Sequence, residues 1–148
     1  MKKEEIVSNL PYSEPFLFVD EILEIDADSI KGSFTYSADL DFYKGHFRDF
    51  PVTPGVILTE TMAQIGLVCF GIYLSADAAD GLSGHVMLTS TQIDFLKPVY
   101  PGEKVIVQAN KNYFRFNKLS CNVIMWNSAN EVVCKGVIAG MVRKDTNG

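Results

Sequence analysis

Apolar residues near the start of the chain fall into two runs, residues 16–26 and 29–37, which are rich in Phe, Val, Ile and Tyr. The acidic, turn-prone sequence Asp26-Ala27-Asp28 lies between them. Short runs of this kind on either side of a turn are typical of two paired strands. The pattern therefore predicts a β-hairpin that opens the domain.

A long apolar stretch in the middle of the chain predicts a helix over residues 54–74. Thr53 is placed to cap this helix, and Pro54 suits its first position because the missing N–H costs nothing there. The stretch is apolar on nearly every face, which is typical of a helix surrounded by other elements. A buried core helix is favoured over a membrane span because polar residues interrupt the first turns, namely Thr59, Glu60, Thr61 and Gln64.

Four further β-rich runs follow the helix, at residues 86–95, 104–114, 119–126 and 132–142. Only short breaks separate them, which favours antiparallel neighbours. Six strands and one helix predict an α+β architecture in which a curved antiparallel sheet wraps around one long central helix. At 148 residues the chain fits a single domain, and we expect its two ends to be flexible, at residues 1–9 and 143–148.

The composition argues against nucleic-acid binding, a zinc site and a disulfide framework. The chain carries 13 Lys and Arg against 18 Asp and Glu, a formal net charge of −5, so it lacks the basic surface that nucleic-acid binding requires. Its three Cys and two His show no metal-ligand spacing, which predicts neither a zinc site nor a disulfide framework. The first residues contain no apolar stretch as long as that of a signal peptide, so a cytoplasmic location is expected.

The first candidate for chemistry is Glu60, a carboxyl group inside an otherwise apolar helix. Burial of a carboxylate without partners costs so much free energy that such a residue is seldom accidental. Burial also favours the protonated form, which a general acid near neutral pH requires. A structural interpretation stays open beside this one, because Gln64, one turn later, is placed to bond the carboxyl group.

Two further candidates lie next to the start of the helix. His46 belongs to an aromatic loop, residues 39–53, and histidine is the usual general base. The free N–H groups of Gly55 and Val56 carry the positive end of the helix dipole, and such groups stabilise an oxyanion. Each feature also has a structural interpretation, as a histidine bonded within the fold or as an ordinary hydrated helix start.

Three motifs in a fixed order resemble those of a known family. They are Gly45-His46-Phe47, the run PVTPGV at residues 51–56 and the run ETMAQ at residues 60–64. At these motifs the sequence resembles the hot-dog-fold 3-hydroxyacyl-acyl-carrier-protein dehydratases of fatty-acid synthesis. The resemblance begins at residue 10, extends downstream to FLKPVYPGE at residues 95–103 and covers most of the chain.

The resemblance implies that His46 and Glu60 form a catalytic dyad and that the N–H of Gly55 faces the thioester oxygen. It implies a homodimer in which His46 of one chain meets Glu60 of the other, with an acyl tunnel beside the helix. A higher oligomer, a dimer of dimers or a trimer of dimers, is compatible with it. No metal or organic cofactor is implied. The expected partner is an acyl carrier protein, with three candidate contacts chosen because they lie near the motifs: Lys44, Arg48 and Lys97.

The chain departs from the family pattern at several positions. Arg48-Asp49 stands where Pro-Gly is common, and Tyr12 stands where a histidine is common after the first Leu-Pro. Threonines replace apolar or small residues at Thr53, Thr59 and Thr61. These changes are compatible with a specialised pathway, such as polyene or other secondary lipid synthesis.

The resulting hypothesis is dehydration of a (3R)-3-hydroxyacyl thioester to the trans-2-enoyl thioester. His46 takes the C2 proton, the N–H of Gly55 stabilises the enolate-like oxygen, and Glu60 protonates the departing C3 hydroxyl. Two alternatives remain open. One is a hydratase or thioesterase of the same fold that acts on coenzyme A esters, and the other is a non-catalytic acyl-binding subunit.

Overall fold

The computed structural model describes residues 1–76 and 82–144. Within these ranges the chain forms six strands, a short helix near its start, a single 3₁₀ turn and one long helix. In chain order the elements are α1 Lys3–Ser8, β1 Glu21–Ile25, β2 Ser29–Thr35, the 3₁₀ turn Asp41–Lys44, α2 Gly55–Leu74, β3 Leu82–Phe95, β4 Lys104–Arg115, β5 Lys118–Trp126 and β6 Val132–Lys144.

The strands form one sheet in the order β1-β2-β4-β5-β6-β3, and every neighbouring pair is antiparallel. β3 is third in the sequence but lies at one edge of the sheet, beside the last strand, β6. β1 and β2 form the expected hairpin at the other edge. The predicted architecture, an antiparallel sheet wrapped around one central helix, is confirmed.

Helix α2 starts one residue later than the sequence predicts. Pro54 has an extended backbone, with φ −60° and ψ 138°, so Gly55 is the first helical residue. The threonine expected to cap the helix has another partner, because the Thr53 hydroxyl hydrogen-bonds the buried hydroxyl of Tyr43 at 2.5 Å. In the middle of α2 the residues Gln64–Cys69 form a π-helical segment.

The sheet approaches the middle of α2 closely at Gly66. A Cβ atom on this glycine would lie 3.1 Å from the Cβ of Ala109 and 3.3 Å from a methyl group of Val123, which leaves no room for a side chain between helix and sheet. By length and composition alone α2 is able to cross a membrane, yet 67% of its apolar window is buried within the fold. This is the position of a core helix.

Several predicted boundaries differ from the structure. β3 begins at Leu82 rather than residue 86, and β2 ends at Thr35 rather than residue 37. The first strand is Glu21–Ile25 rather than residues 16–26, because the N–H of Phe18 bonds a side chain of α2 instead of a neighbouring strand. Residues 1–9, expected to be flexible, contain α1, whose Ile6 is fully buried. At the other end β6 continues to Lys144, and the remainder of the tail predicted to be flexible, residues 145–148, lies outside the described residues.

Candidate active site

Glu60 lies on the second turn of α2 and is half-buried. One of its carboxyl oxygens, Oε2, accepts a hydrogen bond of 3.0 Å from Nε2 of Gln64. Burial raises the pKa of Glu60 above its usual value near 4.5, and the bond from Gln64 only partly opposes this effect. The carboxyl group is therefore held more strongly in its protonated form than an exposed glutamate would be.

Gln64 is fully buried and uses both ends of its amide. Its Oε1 accepts a 2.8 Å hydrogen bond from the N–H of Phe18, and its Nε2 also donates to the carbonyl of Phe16 at 3.1 Å. One side chain thus ties the segment before β1 to the helix and to Glu60. The Gln64 contact expected from the structural interpretation of Glu60 is present, and it also fixes the direction of the carboxyl group.

A groove of about 770 Å³ runs between α2 and the edge strand β3. Glu60 and the first two helical residues, Gly55 and Val56, line this groove. The first N–H of the helix that bonds a backbone carbonyl is that of Ile57, which donates to Pro54. The N–H groups of Gly55 and Val56 lie before it and have no acceptor within the helix. Val56 is 76% exposed on the wall of this groove. The full lining is Gly55, Val56, Thr59, Glu60, Leu88, Thr91, Gln92, Ile93 and Phe95.

The other candidate, His46, is held by the loop between the 3₁₀ turn and α2. Nδ1 of His46 lies 2.9 Å from the carbonyl oxygen of Val52. Because a carbonyl oxygen can only accept a hydrogen bond, Nδ1 is the donor and carries the proton. The N–H of Val52 in turn donates to the carbonyl of His46 at 2.8 Å. The ring also stacks on Phe47, with centroids 4.3 Å apart. In the neutral imidazole Nε2 is therefore the unprotonated nitrogen, as a general base requires.

The groove brings together three of the predicted site residues and leaves out the fourth. Gly55, Val56 and Glu60 line it side by side, whereas His46 is absent from its lining. In a single chain the predicted dyad is therefore not assembled within the groove. Phe95 adds a contact that the sequence did not indicate, since its ring would lie 3.3 Å from a Cβ placed on Gly55.

The three predicted carrier-protein contacts lie in different electrostatic settings. Lys44 forms an ion pair of 3.1 Å with Asp41, and Lys97 forms one of 2.6 Å with Glu131. Arg48 is exposed, and it makes no ion pair with any residue that the structure describes. Exposed ion pairs of this kind are worth little to stability, but they offset the positive charge that a partner would meet.

Tyr12, noted in the sequence as a departure from the family pattern, is half-buried and is absent from the lining of the groove. Its pKa is raised to about 12, by burial first and then by its electrostatic interaction with Glu60. In the sequence, the only feature that drew attention to Tyr12 was its position directly after Leu10-Pro11, where the family commonly has a histidine. Among residues 1–76 and 82–144 no cluster of His, Cys, Asp and Glu is arranged to hold a metal ion.

Sequence comparison finds relatives along nearly the whole chain. A family model described as the FabA-like domain matches residues 10–139. The 3-hydroxyacyl-[acyl-carrier-protein] dehydratase FabZ of Petrotoga mobilis is 35% identical over 128 residues, which cover 81% of this chain and 86% of the relative. The protein of the same name from Lawsonia intracellularis is 32% identical over 148 residues, which cover 96% of this chain and 93% of the relative.

Solved structures with low sequence identity share the fold. The dehydratase heterocomplex ApeI:P from Xenorhabdus doucetiae gives a TM-score of 0.79 at 17% identity, covering 95% of this chain and 92% of that chain. A thioesterase from Haemophilus influenzae gives a TM-score of 0.63 at 18% identity, covering 86% of this chain and 80% of that chain. Similarity at this level shows the architecture alone. It confirms the hot-dog fold that the resemblance implied.

Proposed function

The chain belongs to the FabA-like domain family, and from this premise we infer that it is a 3-hydroxyacyl-[acyl-carrier-protein] dehydratase, a lyase of fatty-acid synthesis. The observation that best supports this function is the groove between α2 and β3. It places a half-buried carboxyl group, Glu60, beside Gly55 and Val56, the first helical residues, whose N–H groups have no acceptor within the helix. Loss of water from a 3-hydroxyacyl thioester needs an acid at the C3 hydroxyl and donors at the thioester oxygen.

We assign the two proton-transfer roles, general acid and general base, to Glu60 and His46. Nε2 of His46 removes a proton from C2, and the C2–H electrons form the new double bond to C3. The C3–O bond breaks as Glu60 gives its proton to the departing hydroxyl, which leaves as water. One product is the trans-2-enoyl thioester. His46 is then protonated and Glu60 ionised, so one proton must return from the histidine to the carboxylate before the next turnover.

A second copy of the chain is needed to bring His46 to the groove, and the edge strand supports this arrangement. The exposed side chains of β3 include Met87, 63% exposed, and Leu88, 44% exposed. An edge strand of 14 residues with apolar side chains is a ready site for pairing with another chain. We therefore propose a homodimer in which the His46 loop of one protomer completes the Glu60 groove of the other.

The substrate's carrier protein, the cellular location and the assembly of dimers belong to the same proposal. Acyl carrier protein presents the thioester, and Lys44, Arg48 and Lys97 remain the proposed contacts. Of these, Arg48 has the strongest electrostatic case because, unlike Lys44 and Lys97, it forms no ion pair with a residue that the structure describes. A cytoplasmic location and a dimer of dimers or trimer of dimers stay predictions, and so does catalysis without a metal or organic cofactor.

The decisive experiment incubates the purified protein with (3R)-3-hydroxyacyl and trans-2-enoyl thioesters, each on carrier protein and on coenzyme A. Mass spectrometry then follows the loss or gain of one water. Loss of water from the carrier-bound substrate supports the proposal. Release of a free thiol identifies a thioesterase, a preference for hydrating coenzyme A esters identifies a hydratase, and binding without turnover identifies an acyl-binding subunit.

The dyad is tested by His46→Ala and Glu60→Gln. Each variant should lower turnover by about 10²-fold or more while it keeps the wild-type fold, because each removes one proton-transfer group. Glu24→Gln is the matched control, since this glutamate is exposed on β1 and should have normal activity. Near-normal dehydration by a folded His46→Ala or Glu60→Gln protein would remove that residue from the mechanism.

A further inference from the structure

The two halves of the loop that carries His46 are joined by hydrogen bonds at two levels. At its tip, Phe47 and Phe50 each donate a backbone N–H to the other's carbonyl, at 2.9 and 3.1 Å. One level further out, Nδ1 of His46 donates to the carbonyl of Val52, whose N–H donates back to the carbonyl of His46. The position of Val52 therefore decides where the histidine ring is held and which of its nitrogens carries the proton.

A pair of buried hydroxyl groups closes the same loop at its base. Tyr43, in the 3₁₀ turn, and Thr53, the residue after Val52, are hydrogen-bonded through their side chains at 2.5 Å. Only 6% of Tyr43 and 4% of Thr53 is exposed. The N–H of Thr53 also donates to the carbonyl of Val99 at 2.9 Å, which ties this end of the loop to the segment before β4. The hydroxyl bond thus lies directly outside the two contacts between His46 and Val52.

Thr53 is one of the positions at which the chain departs from its family, because an apolar or small residue often stands there. Burial of a hydroxyl group costs free energy unless the group is hydrogen-bonded. Here the hydroxyls of Thr53 and Tyr43 satisfy each other, and a directional bond fixes their separation more narrowly than apolar contact would. The base of the His46 loop is therefore held in one geometry.

We propose that the hydroxyl pair Tyr43–Thr53 positions the general base: it keeps Nδ1 of His46 protonated and Nε2 free to take the C2 proton. This inference rests on the proposed function. Neither residue lines the groove that holds Glu60, so the pair acts through the loop and not on the substrate. A catalytic group displaced by about 1 Å can react about 10²-fold more slowly. Loosening the loop should therefore lower the rate of proton removal more than the affinity for substrate.

Steady-state kinetics on a carrier-bound 3-hydroxyacyl thioester measure the effect on the reaction. Thr53→Val and Tyr43→Phe each remove one hydroxyl group and keep the shape of the side chain. Each should lower kcat about tenfold and change KM by about twofold or less. The double variant should lose no more than either single variant, because both substitutions break the same bond. Thr53→Ser keeps the hydroxyl and should keep the wild-type kcat.

Tyr36→Phe is the matched control for the loss of a buried tyrosine hydroxyl. Tyr36 is fully buried and donates to the hydroxyl of Thr61 at 2.6 Å, outside the His46 loop. Thr61 keeps its own bond to the carbonyl of Ile57 in this variant. Tyr36→Phe should therefore lower the melting temperature about as much as Tyr43→Phe while it leaves kcat unchanged.

NMR of the histidine rings gives a second measurement that does not depend on activity. The chain has only two histidines, so His85→Gln assigns their signals. Nitrogen chemical shifts recorded at about pH 8, where histidine side chains are normally neutral, distinguish the two tautomers. Wild type and Thr53→Ser should show His46 with its proton on Nδ1, whereas Thr53→Val and Tyr43→Phe should show a mixture of both tautomers.

A wild-type kcat in a folded Thr53→Val or Tyr43→Phe protein would overturn the proposal. An equal loss of kcat in Tyr36→Phe would do the same, because it points to a general loss of stability, and so would an unchanged tautomer of His46 in the two loop variants. Tyr43→Phe serves if Thr53→Val does not fold. If wild type dehydrates no thioester, the proposed function fails, and the NMR measurement still tests how the loop holds His46.

Discussion

At the scale of single residues, the chemistry depends on how the fold treats the Glu60 carboxyl group. Burial raises its pKa, and the Gln64 amide, which donates to the carboxylate, opposes that effect only in part. The amide therefore has two consequences. It orients the carboxyl group toward one side of the groove, and it keeps the ionised form, which follows proton transfer, from being left without a partner.

The raised pKa of Glu60 predicts a pH dependence of stability. A group whose pKa is higher in the folded than in the unfolded state stabilises the fold below its unfolded pKa, near 4.5. That contribution is lost as the pH rises through the folded pKa. Glu60→Gln cannot ionise, so its free energy of unfolding should rise relative to wild type as the pH increases above 4.5.

Denaturant unfolding of both proteins between about pH 4 and about pH 8 measures this difference. Glu24→Gln, with its exposed side chain on β1, should follow the wild-type curve throughout. If the free energies of unfolding of wild type and Glu60→Gln change with pH in parallel, the carboxyl group has the same pKa in the folded and unfolded states, and the prediction is wrong.

Sequence alone reaches some of these residue contacts and misses others for a physical reason. The bond between Glu60 and Gln64 follows from their spacing of four on one helix face. The contacts of Gln64 with Phe16 and Phe18 span 48 and 46 residues, and no local pattern encodes them.

At the scale of elements, the start of α2 is the feature that the chemistry uses most. Pro54 adopts an extended conformation, so the helix begins on a residue without a side chain, Gly55. A Cβ atom on this glycine would lie 3.3 Å from the ring of Phe95, which is 51% exposed. A substrate carbonyl is able to approach the backbone amide here more closely than at any residue with a side chain.

Gly55→Val should lower turnover by about 10²-fold with little change in melting temperature. The added methyl groups should displace the half-exposed Phe95 ring and block the amide that we propose as oxyanion donor. Gly71→Ala in the same helix is the control, because its Cβ meets Val142 and Val86 at the ordinary distances of 3.4 and 3.6 Å. Steady-state kinetics and thermal melts measure both effects, and a fully active Gly55→Val protein would exclude Gly55 from the oxyanion site.

The elements themselves were largely predictable, but their order in the sheet was not. Hydrophobic runs between turn residues located the strands because each strand is a local property of the chain. The position of β3 beside β6 depends on pairing between residues far apart in the sequence, from Phe95 with Cys134 at one end to Leu82 with Lys144 at the other. The sequence patterns likewise did not indicate the π-helical segment Gln64–Cys69 within the helix.

At the scale of the whole molecule, the separation of His46 from the groove makes subunit exchange informative. In the proposed homodimer, a mixture of His46→Ala and Glu60→Gln proteins should form heterodimers in which one of the two sites has both dyad residues. Random exchange of equal amounts should restore about a quarter of wild-type activity, because half of the dimers are mixed and each has one intact site.

Exchange is verified independently by mass spectrometry of differently tagged chains. The unmixed variants supply the baseline. If mixed dimers form and activity stays at that baseline, the site is not shared between subunits.

The net charge of the chain bears on how it binds the proposed carrier protein. A chain with a net charge of −5 attracts an acidic carrier protein only through local positive charge. Arg48→Glu should weaken carrier-protein binding about fivefold at low salt, and Lys97→Glu should have a smaller effect because Glu131 already offsets Lys97.

Titration calorimetry at two salt concentrations measures both effects, which should diminish as salt screens the charges. Lys135→Glu, an exposed position on β6, makes the same change in net charge and should bind normally. Equal affinities for Arg48→Glu and wild type would exclude this part of the proposed docking surface.

The pairing of β3 with β6 has a consequence for how the protein is made. The last residue of β6, Lys144, is synthesised 49 residues after Phe95, the last residue of β3. At about 5 to 20 residues per second the ribosome needs roughly 2 to 10 s to cover that distance. Until β6 has been made, β3 has no neighbouring strand to pair with, so the incomplete chain carries an unpaired strand next to an apolar helix. Incomplete chains of this protein should therefore aggregate more readily than the finished one.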